Sequence, residues 1–212
     1  MNLILLGAPG AGKGTQAELL TKKLSIPAIS TGNMLREAIA NGSELGQKVK
    51  KLMDEGSLVP DDVILDIVAE RVSREDCRNG YILDGVPRTL AQAKELQSRG
   101  LIIDHVISVE IDDAVIESRM TGRRVCSKCG ASYHIVANPP KSENICDLCA
   151  GQLIIRKDDA PETVRHRLNV YHLQTEVLKD YYAKCGKLLT IDGNKSIEDV
   201  NRAIMEAIGV EV

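Results

Sequence analysis

The chain has 212 residues, 43% hydrophobic and 27% charged, with a formal net charge of −3. That composition suits a globular protein with one sizeable core, and the acidic balance argues against non-specific attachment to nucleic acid or anionic membrane as the main activity. No apolar run approaches the ~18 residues of a membrane span, and the short apolar start at residues 3–6 does not read as a secretory leader, so no membrane association and a cytoplasmic protein are expected. Phe and Trp are absent and Tyr occurs five times, so the core must be filled by Leu, Ile, Val, Ala and Met.

Residues 2–6 read as a buried strand, and GAPGAGKGT follows at residues 7–15, opening a helix expected over 14–24. Glycines let successive backbone N–H groups turn inward around an anion, the helix adds its positive N-terminal end, and Lys13 supplies a mobile charge for outer phosphates. Gly7, Gly12 and Lys13 stand in the register of the phosphate-loop pattern G-x-x-x-x-G-K. Gly14 occupies the place where Ser or Thr usually follows the lysine, with Thr15 one residue later. The plain alternative is an ordinary glycine-rich strand-to-helix turn.

Further strands are expected at 27–30, 81–84, 105–110 and 188–192, with helices at 89–99, 112–120, 161–184 and 196–208. Strand alternating with helix predicts an α/β fold, a doubly wound, five-stranded parallel sheet that binds ligands at the carboxyl ends of its strands. Residues 31–72 hold three helical patterns broken by turn signals at Asn41-Gly42 and Gly56-Ser57-Leu58-Val59-Pro60. Residues 122–159 read as a small separate insert rich in Cys, Gly and Pro.

In that insert Cys126-x2-Cys129 is followed by Cys146-x2-Cys149. Each pair can grip one metal ion, and two grips complete a tetrahedral thiolate site. A structural Zn²⁺ is therefore expected, with Gly130 and Gly151 making the turn after each pair; disulfides are the competing reading. Cys77 and Cys185 have no such partner and are expected to be buried.

Asp84 ends an apolar strand, a place from which a carboxylate can help hold Mg²⁺ beside phosphates or simply cap a turn. Arg36, Arg88, Arg119, Arg123, Arg124, Arg156, Arg165 and Arg167 are candidate phosphate clamps; solvated surface arginines are the alternative for each.

Together these motifs resemble the adenylate kinase family in its long, zinc-bearing bacterial form. The resemblance covers essentially the whole chain and rests on GAPGAGKGT at 7–15, STGNMLR at 30–36, GSLVPDD at 56–62, DGVPRT at 84–89, TGRRVC at 121–126, the four cysteines, NPPK at 138–141, RKDD at 156–159 and DGNK at 192–195. It implies a P-loop core (1–29, 60–121 and 160–212), a helical AMP-binding region (30–59) and a zinc-binding lid (122–159). The ATP site would comprise Gly10, Ala11, Gly12, Lys13, Gly14, Thr15, Arg119, Arg123, Ser132, Tyr133 and Lys195. The AMP site would comprise Thr31, Arg36, Ser57, Leu58, Val59, Gly85, Val86, Pro87, Arg88, Gln92, Arg156 and Arg167. Lys13, Asp84, Arg88, Arg123, Arg156 and Arg167 would carry catalysis, and Cys126, Cys129, Cys146 and Cys149 would hold Zn²⁺. The sequence departs from the family pattern at Asn33 (usually Asp), Val86 (usually Phe) and Ala137 (commonly Phe), which bears on affinity and lid closure rather than on reaction class.

The implied reaction is MgATP + AMP ⇌ MgADP + ADP in a monomer, driven by alignment and charge stabilisation with no general base. A kinase for another nucleoside monophosphate, a zinc-ribbon nucleic-acid-binding module switched by ATP, and a nucleotide-binding protein without turnover are the alternatives.

Overall fold

The computed structural model describes residues 1–210, so the last two positions of the expected 160–212 segment lie outside the described residues. Along the chain run β1 (Asn2–Leu6), α1 (Lys13–Leu24), β2 (Ala28–Ser30), α2 (Thr31–Ala40), α3 (Glu44–Glu55), α4 (Asp61–Val72), β3 (Tyr81–Asp84), α5 (Leu90–Ser98) and β4 (His105–Glu110). Then come α6 (Asp113–Gly122), β5 (Arg123–Cys126), β6 (Ser132–His134), β7 (Leu153–Ile154), α7 (Pro161–Val170), α8 (Val177–Lys184), β8 (Leu188–Asp192) and α9 (Ile197–Ala207). The five strands expected from the sequence form one parallel sheet in the order β2-β3-β1-β4-β8.

Alternation along β1 divides the core. Leu3 and Leu5 face the layer that α1 and α9 cover with Ala17, Leu20, Val200 and Ile204. Ile4 and Leu6 face the layer formed by Leu35, Val68, Leu96 and Leu178 from α2, α4, α5 and α8. Both faces of the inner strands β1, β3 and β4 are buried, which is why these strands read as near-continuous apolar runs. Tyrosine also serves the core: Tyr81, Tyr133, Tyr171 and Tyr182 are all buried. Successive strands lie on either side of β1, so the loop at its carboxyl end opens into the crevice where open α/β sheets take their ligands.

The 31–72 stretch forms α2, α3 and α4. Ser43 caps α3 by accepting from the Gly46 N–H at 3.1 Å, and Gly56 ends it at a φ of 77°. The expected 161–184 helix is interrupted: a π turn over Tyr171–Thr175 separates α7 from α8. Such a turn inserts one extra residue and rotates the side chains that follow. Cys77 is buried as expected, whereas Cys185 is exposed, just past the end of α8.

Val86 turns its side chain into the core. It is 1% exposed and packs in the α2–α4–α5–α8 layer. A core at native density resists added volume. Val86→Phe is therefore expected to cost about 1–3 kcal/mol and to lower the thermal midpoint; a midpoint equal to or above wild type would show room that the packing does not reveal.

Candidate functional site

The loop after β1 is built for close approach. Gly12 caps α1 at a φ of 94°, and α1 carries no acidic residue of its own in its first turn to offset its positive end. Gly10 has a φ of 86°, and a Cβ there would lie 2.9 Å from Met120 Sδ. Lys13 folds over the loop, its Nζ donating to the Gly7 and Ala8 carbonyls at 2.8 Å each. Burial pushes its pKa down to about 8; Asp84 resists that fall, and Arg88, Arg167 and Arg123 reinforce it.

One cleft of about 1010 Å³ runs between the loop, α2 and the insert. Gly10, Ala11, Gly12, Lys13, Gly14 and Thr15 line its floor; Thr31, Arg36, Ser57, Leu58 and Val59 line one wall. Asp84, Gly85, Arg88 and Gln92 enter from the end of β3 and the start of α5. Arg119, Arg123, Ser132, Tyr133, Arg156, Arg167 and Lys195 close the remaining sides. Val86 and Pro87 are not part of this lining: Val86 is core, and Pro87 borders a separate cavity of about 80 Å³ behind the loop. Arg124 turns away, its guanidinium donating to the Thr121 and Arg123 carbonyls, and Arg165 pairs with Glu117 on the surface.

The cations are crowded. Burial lowers Arg36 and Arg88, takes Arg167 to about 10 and, helped by repulsion from Arg36 and Arg123, takes Arg156 to about 9. Arg156 Nε is buried without a hydrogen-bond partner among the described residues. Such a group of desolvated guanidiniums is a receptor for multiply charged anions. Asp158 and Asp159, which are not among the expected site residues, hold it together. Arg123 donates from Nε and Nη2 to both carboxylate oxygens of Asp159, and Arg167 Nη1 meets Asp158 Oδ2 at 2.8 Å. Burial alone would raise the Asp158 carboxyl, but Arg167, Arg36, Arg156 and Arg123 outweigh it and hold it below its ordinary value. The RKDD string was visible in the sequence; only folding shows that its acids face arginines from β5 and α7.

Arg88 is fixed along its backbone and side chain. Its N–H donates to Gln92 Oε1 at 2.7 Å, its carbonyl accepts from Thr175 Oγ1 at 2.7 Å, and its Nε donates to the Gly85 carbonyl at 2.9 Å. Thr175 belongs to the π turn, 87 residues away in sequence, and no motif pointed to it.

The insert folds as a small antiparallel sheet, β6-β5-β7. The sulfurs of Cys126, Cys129, Cys146 and Cys149 lie within 4.8 Å of one another. Burial opposes ionisation of Cys146, yet hydrogen bonds from Tyr133 Oη and the Leu148 and Cys149 N–H groups take its thiol down to about 6. Burial and the three neighbouring sulfurs push Cys129 up to about 12. Four converging thiols in this arrangement suit a tetrahedral divalent cation. Gly130 makes the expected turn at a φ of 75°, but after the second pair Ala150 takes the positive φ. Gly151 serves instead as a close approach: a Cβ there would lie 2.8 Å from Cys126 Sγ. The insert comes close to α2, where a Cβ on Gly130 would lie 3.7 Å from Asn33 Nδ2.

The family model described as adenylate kinase matches residues 5–187. An adenylate kinase of Caldicellulosiruptor bescii is 53% identical over 215 aligned residues, covering all of both chains. Those of Acetivibrio thermocellus and Archaeoglobus fulgidus are 52% and 54% identical, each covering at least 97% of both chains. No helix among the described residues is long and apolar enough to cross a membrane. The phosphate loop, the arginine-lined cleft and the match over nearly the whole length agree: this chain belongs to the adenylate kinase family.

Proposed function

We propose that the protein transfers the terminal phosphoryl group of MgATP to AMP and back, giving two ADP. The observation that supports this most directly is the convergence on one cleft of Lys13 from the loop, Arg36 and Arg88 from one side and Arg123, Arg156 and Arg167 from the other. Two polyanions that repel each other in water can be held end to end only where fixed cations supply the attraction. We assign the core to residues 1–29, 60–121 and 160–212, the AMP region to 30–59 and the lid to 122–159. We also infer a cytoplasmic monomer without nucleic-acid partners, in keeping with thiols kept reduced for metal.

In this reading the loop N–H groups and Lys13 hold the ATP phosphates. Arg119, Ser132, Tyr133 and Lys195 border the nucleoside. Thr31, Ser57, Leu58, Val59, Gly85 and Gln92 surround AMP, and Arg36 and Arg88 take its phosphate. Arg123, Arg156 and Arg167 cover the transferring group. The acceptor oxygen of AMP is already anionic near neutral pH, so the side chains align and neutralise rather than remove a proton. Mg²⁺, when bound with ATP, would neutralise phosphate charge, and Asp84 would be the carboxylate to hold it, directly or through water. The insert excludes water from the reacting phosphoryl, which prevents hydrolysis. The four cysteines would hold a structural Zn²⁺, because fewer than forty residues bury too little core to keep such a lid rigid unaided.

Initial rates of ADP formation from MgATP with AMP, CMP, UMP and GMP in turn test the assignment: turnover should be fast with AMP, and Arg88→Ala should lower it about 10²–10³-fold with the fold intact. Near-normal turnover in that variant would remove Arg88 from the site.

The depressed Lys13 sets a pH dependence. In the free protein its charge is lost as pH rises through about 8, whereas bound phosphates restore the protonated form. The kcat/KM for ATP should therefore fall above about pH 8 while kcat stays flat to higher pH. A kcat/KM that is level to pH 9.5 would contradict the proposed role of Lys13.

Stripping metal with a chelator should lower the thermal midpoint and reduce turnover through lid unfolding. Metal-free protein with an unchanged melting curve and rate would exclude a structural ion at the four cysteines.

A further inference from the structure

Gln92 borders the cleft at 2% exposure, and its side-chain amide is held at both ends. Its Oε1 accepts from the Arg88 backbone N–H at 2.7 Å, and its Nε2 donates to Asp61 Oδ1 at 2.7 Å. The other oxygen of Asp61 accepts from Thr89 Oγ1 at 2.9 Å, and Thr89 Oγ1 in turn accepts from the Gln92 N–H at 3.1 Å. The directions of these bonds follow from chemistry. A backbone N–H can only donate, and an ionised carboxylate can only accept. Turning the amide over would set its NH₂ against the Arg88 N–H and its oxygen against the Asp61 carboxylate. Only one orientation is compatible with both neighbours, and it leaves one N–H and one oxygen lone pair for a ligand.

We propose that Asp61 is a specificity-determining positioning residue: by fixing the Gln92 amide in one orientation, it makes the cleft accept a 6-aminopurine and reject a 6-oxopurine. The inference deepens the proposed AMP site and rests on Gln92 facing the base of the monophosphate. An adenine edge offers an exocyclic N–H donor beside the N1 acceptor, which matches an amide oxygen beside an amide N–H. A hypoxanthine edge reverses both, with O6 an acceptor and N1–H a donor, so the same amide would meet acceptor with acceptor and donor with donor. A free amide would turn over and accommodate either base. The held one cannot, and buried polar groups left unpaired are the strongest means of rejecting an analogue. Asp61 opens α4, and its part in this is to hold the group that reads the base.

The test is steady-state turnover of AMP against inosine monophosphate, which differs only at this edge, with saturating MgATP. Wild type, Asp61→Asn and Asp61→Ala are compared, with the thermal midpoint of each. Asp61→Asn keeps the shape but can donate as well as accept. It should lower the AMP-to-inosine-monophosphate ratio of kcat/KM at least about tenfold, as loss of a charge-assisted hydrogen bond implies, with the KM for ATP unchanged. Asp61→Ala, which deletes the acceptor, should shift the ratio the same way. A merely structural role would lower the midpoint and both activities together and leave the ratio alone. An unchanged ratio in the folded variants, with the wild-type preference for AMP intact, overturns the role of Asp61 and leaves the AMP assignment standing. Wild type that uses both monophosphates equally overturns the reading that Gln92 faces the base, and the inference with it.

Discussion

Lys13, Arg36, Arg88, Arg123, Arg156 and Arg167 share one cleft, and their mutual repulsion is the condition under which the rest of the site is organised. Unopposed, that much desolvated charge would force the walls apart. Asp84, Asp158 and Asp159 offset part of it: Asp159 grips Arg123 with both oxygens, and Asp158 holds Arg167 while facing Arg36 and Arg156. What is left is a net positive receptor whose remaining demand a phosphate chain can meet. Binding energy and catalytic stabilisation then have one origin, since the charge that draws the substrates in is the charge that offsets their repulsion at transfer.

Holding such a cluster requires a stiff frame, and the parallel sheet provides it. β1 lies between β3 and β4, so the ends of three hydrogen-bonded strands deliver the loop, Asp84 and the Glu110–Ile111 turn to one edge. The π turn adds a support from behind. His172 bridges Glu176 and Asp113, while Lys179 joins Glu176 to Glu110 at the end of β4. Within that brace Thr175 reaches the Arg88 carbonyl. The interruption of an otherwise regular helix is thus tied to an arginine that faces the cleft.

The insert solves a different problem. Its core consists of Cys126, Ala131, Tyr133, Cys146 and Leu153, with Cys149 packed against it. Half of that small set is cysteine, so three of the four residues that would bind metal are also the packing. Tyr133 links the two uses, with its hydroxyl accepting from the Asp147 N–H at 2.8 Å and lying 3.5 Å from Cys146 Sγ. Coordination and packing would therefore be lost together, which is expected of a unit too small to fold on apolar burial alone.

The sequence by itself determined the elements whose signals are local. Residues 2–6, 81–84 and 105–110 were legible as strands because burial on both faces demands near-unbroken apolar runs, and 188–192 because of its short apolar run at the sheet edge. The phosphate loop and the paired cysteines were legible because their chemistry needs fixed spacing. Departures arose where distant segments meet. Val86 reads as a site residue from its neighbours in DGVPRT, and only the fold shows that the bend after β3 turns its side chain into the core. The helix over 161–184 has no breaker in its sequence; the Asp113 side chain from α6 and the Arg88 carbonyl from the loop before α5 accompany its π turn. Asp158 and Asp159 look like solvated charges until the insert folds over and sets arginines against them. Asp61 and Gln92, 31 residues apart, become partners only when α4 packs beside α5. Tertiary structure alone decided these points, because the energy of a charge or a buried amide depends on which groups surround it in space, and local sequence sets only the nearest of them.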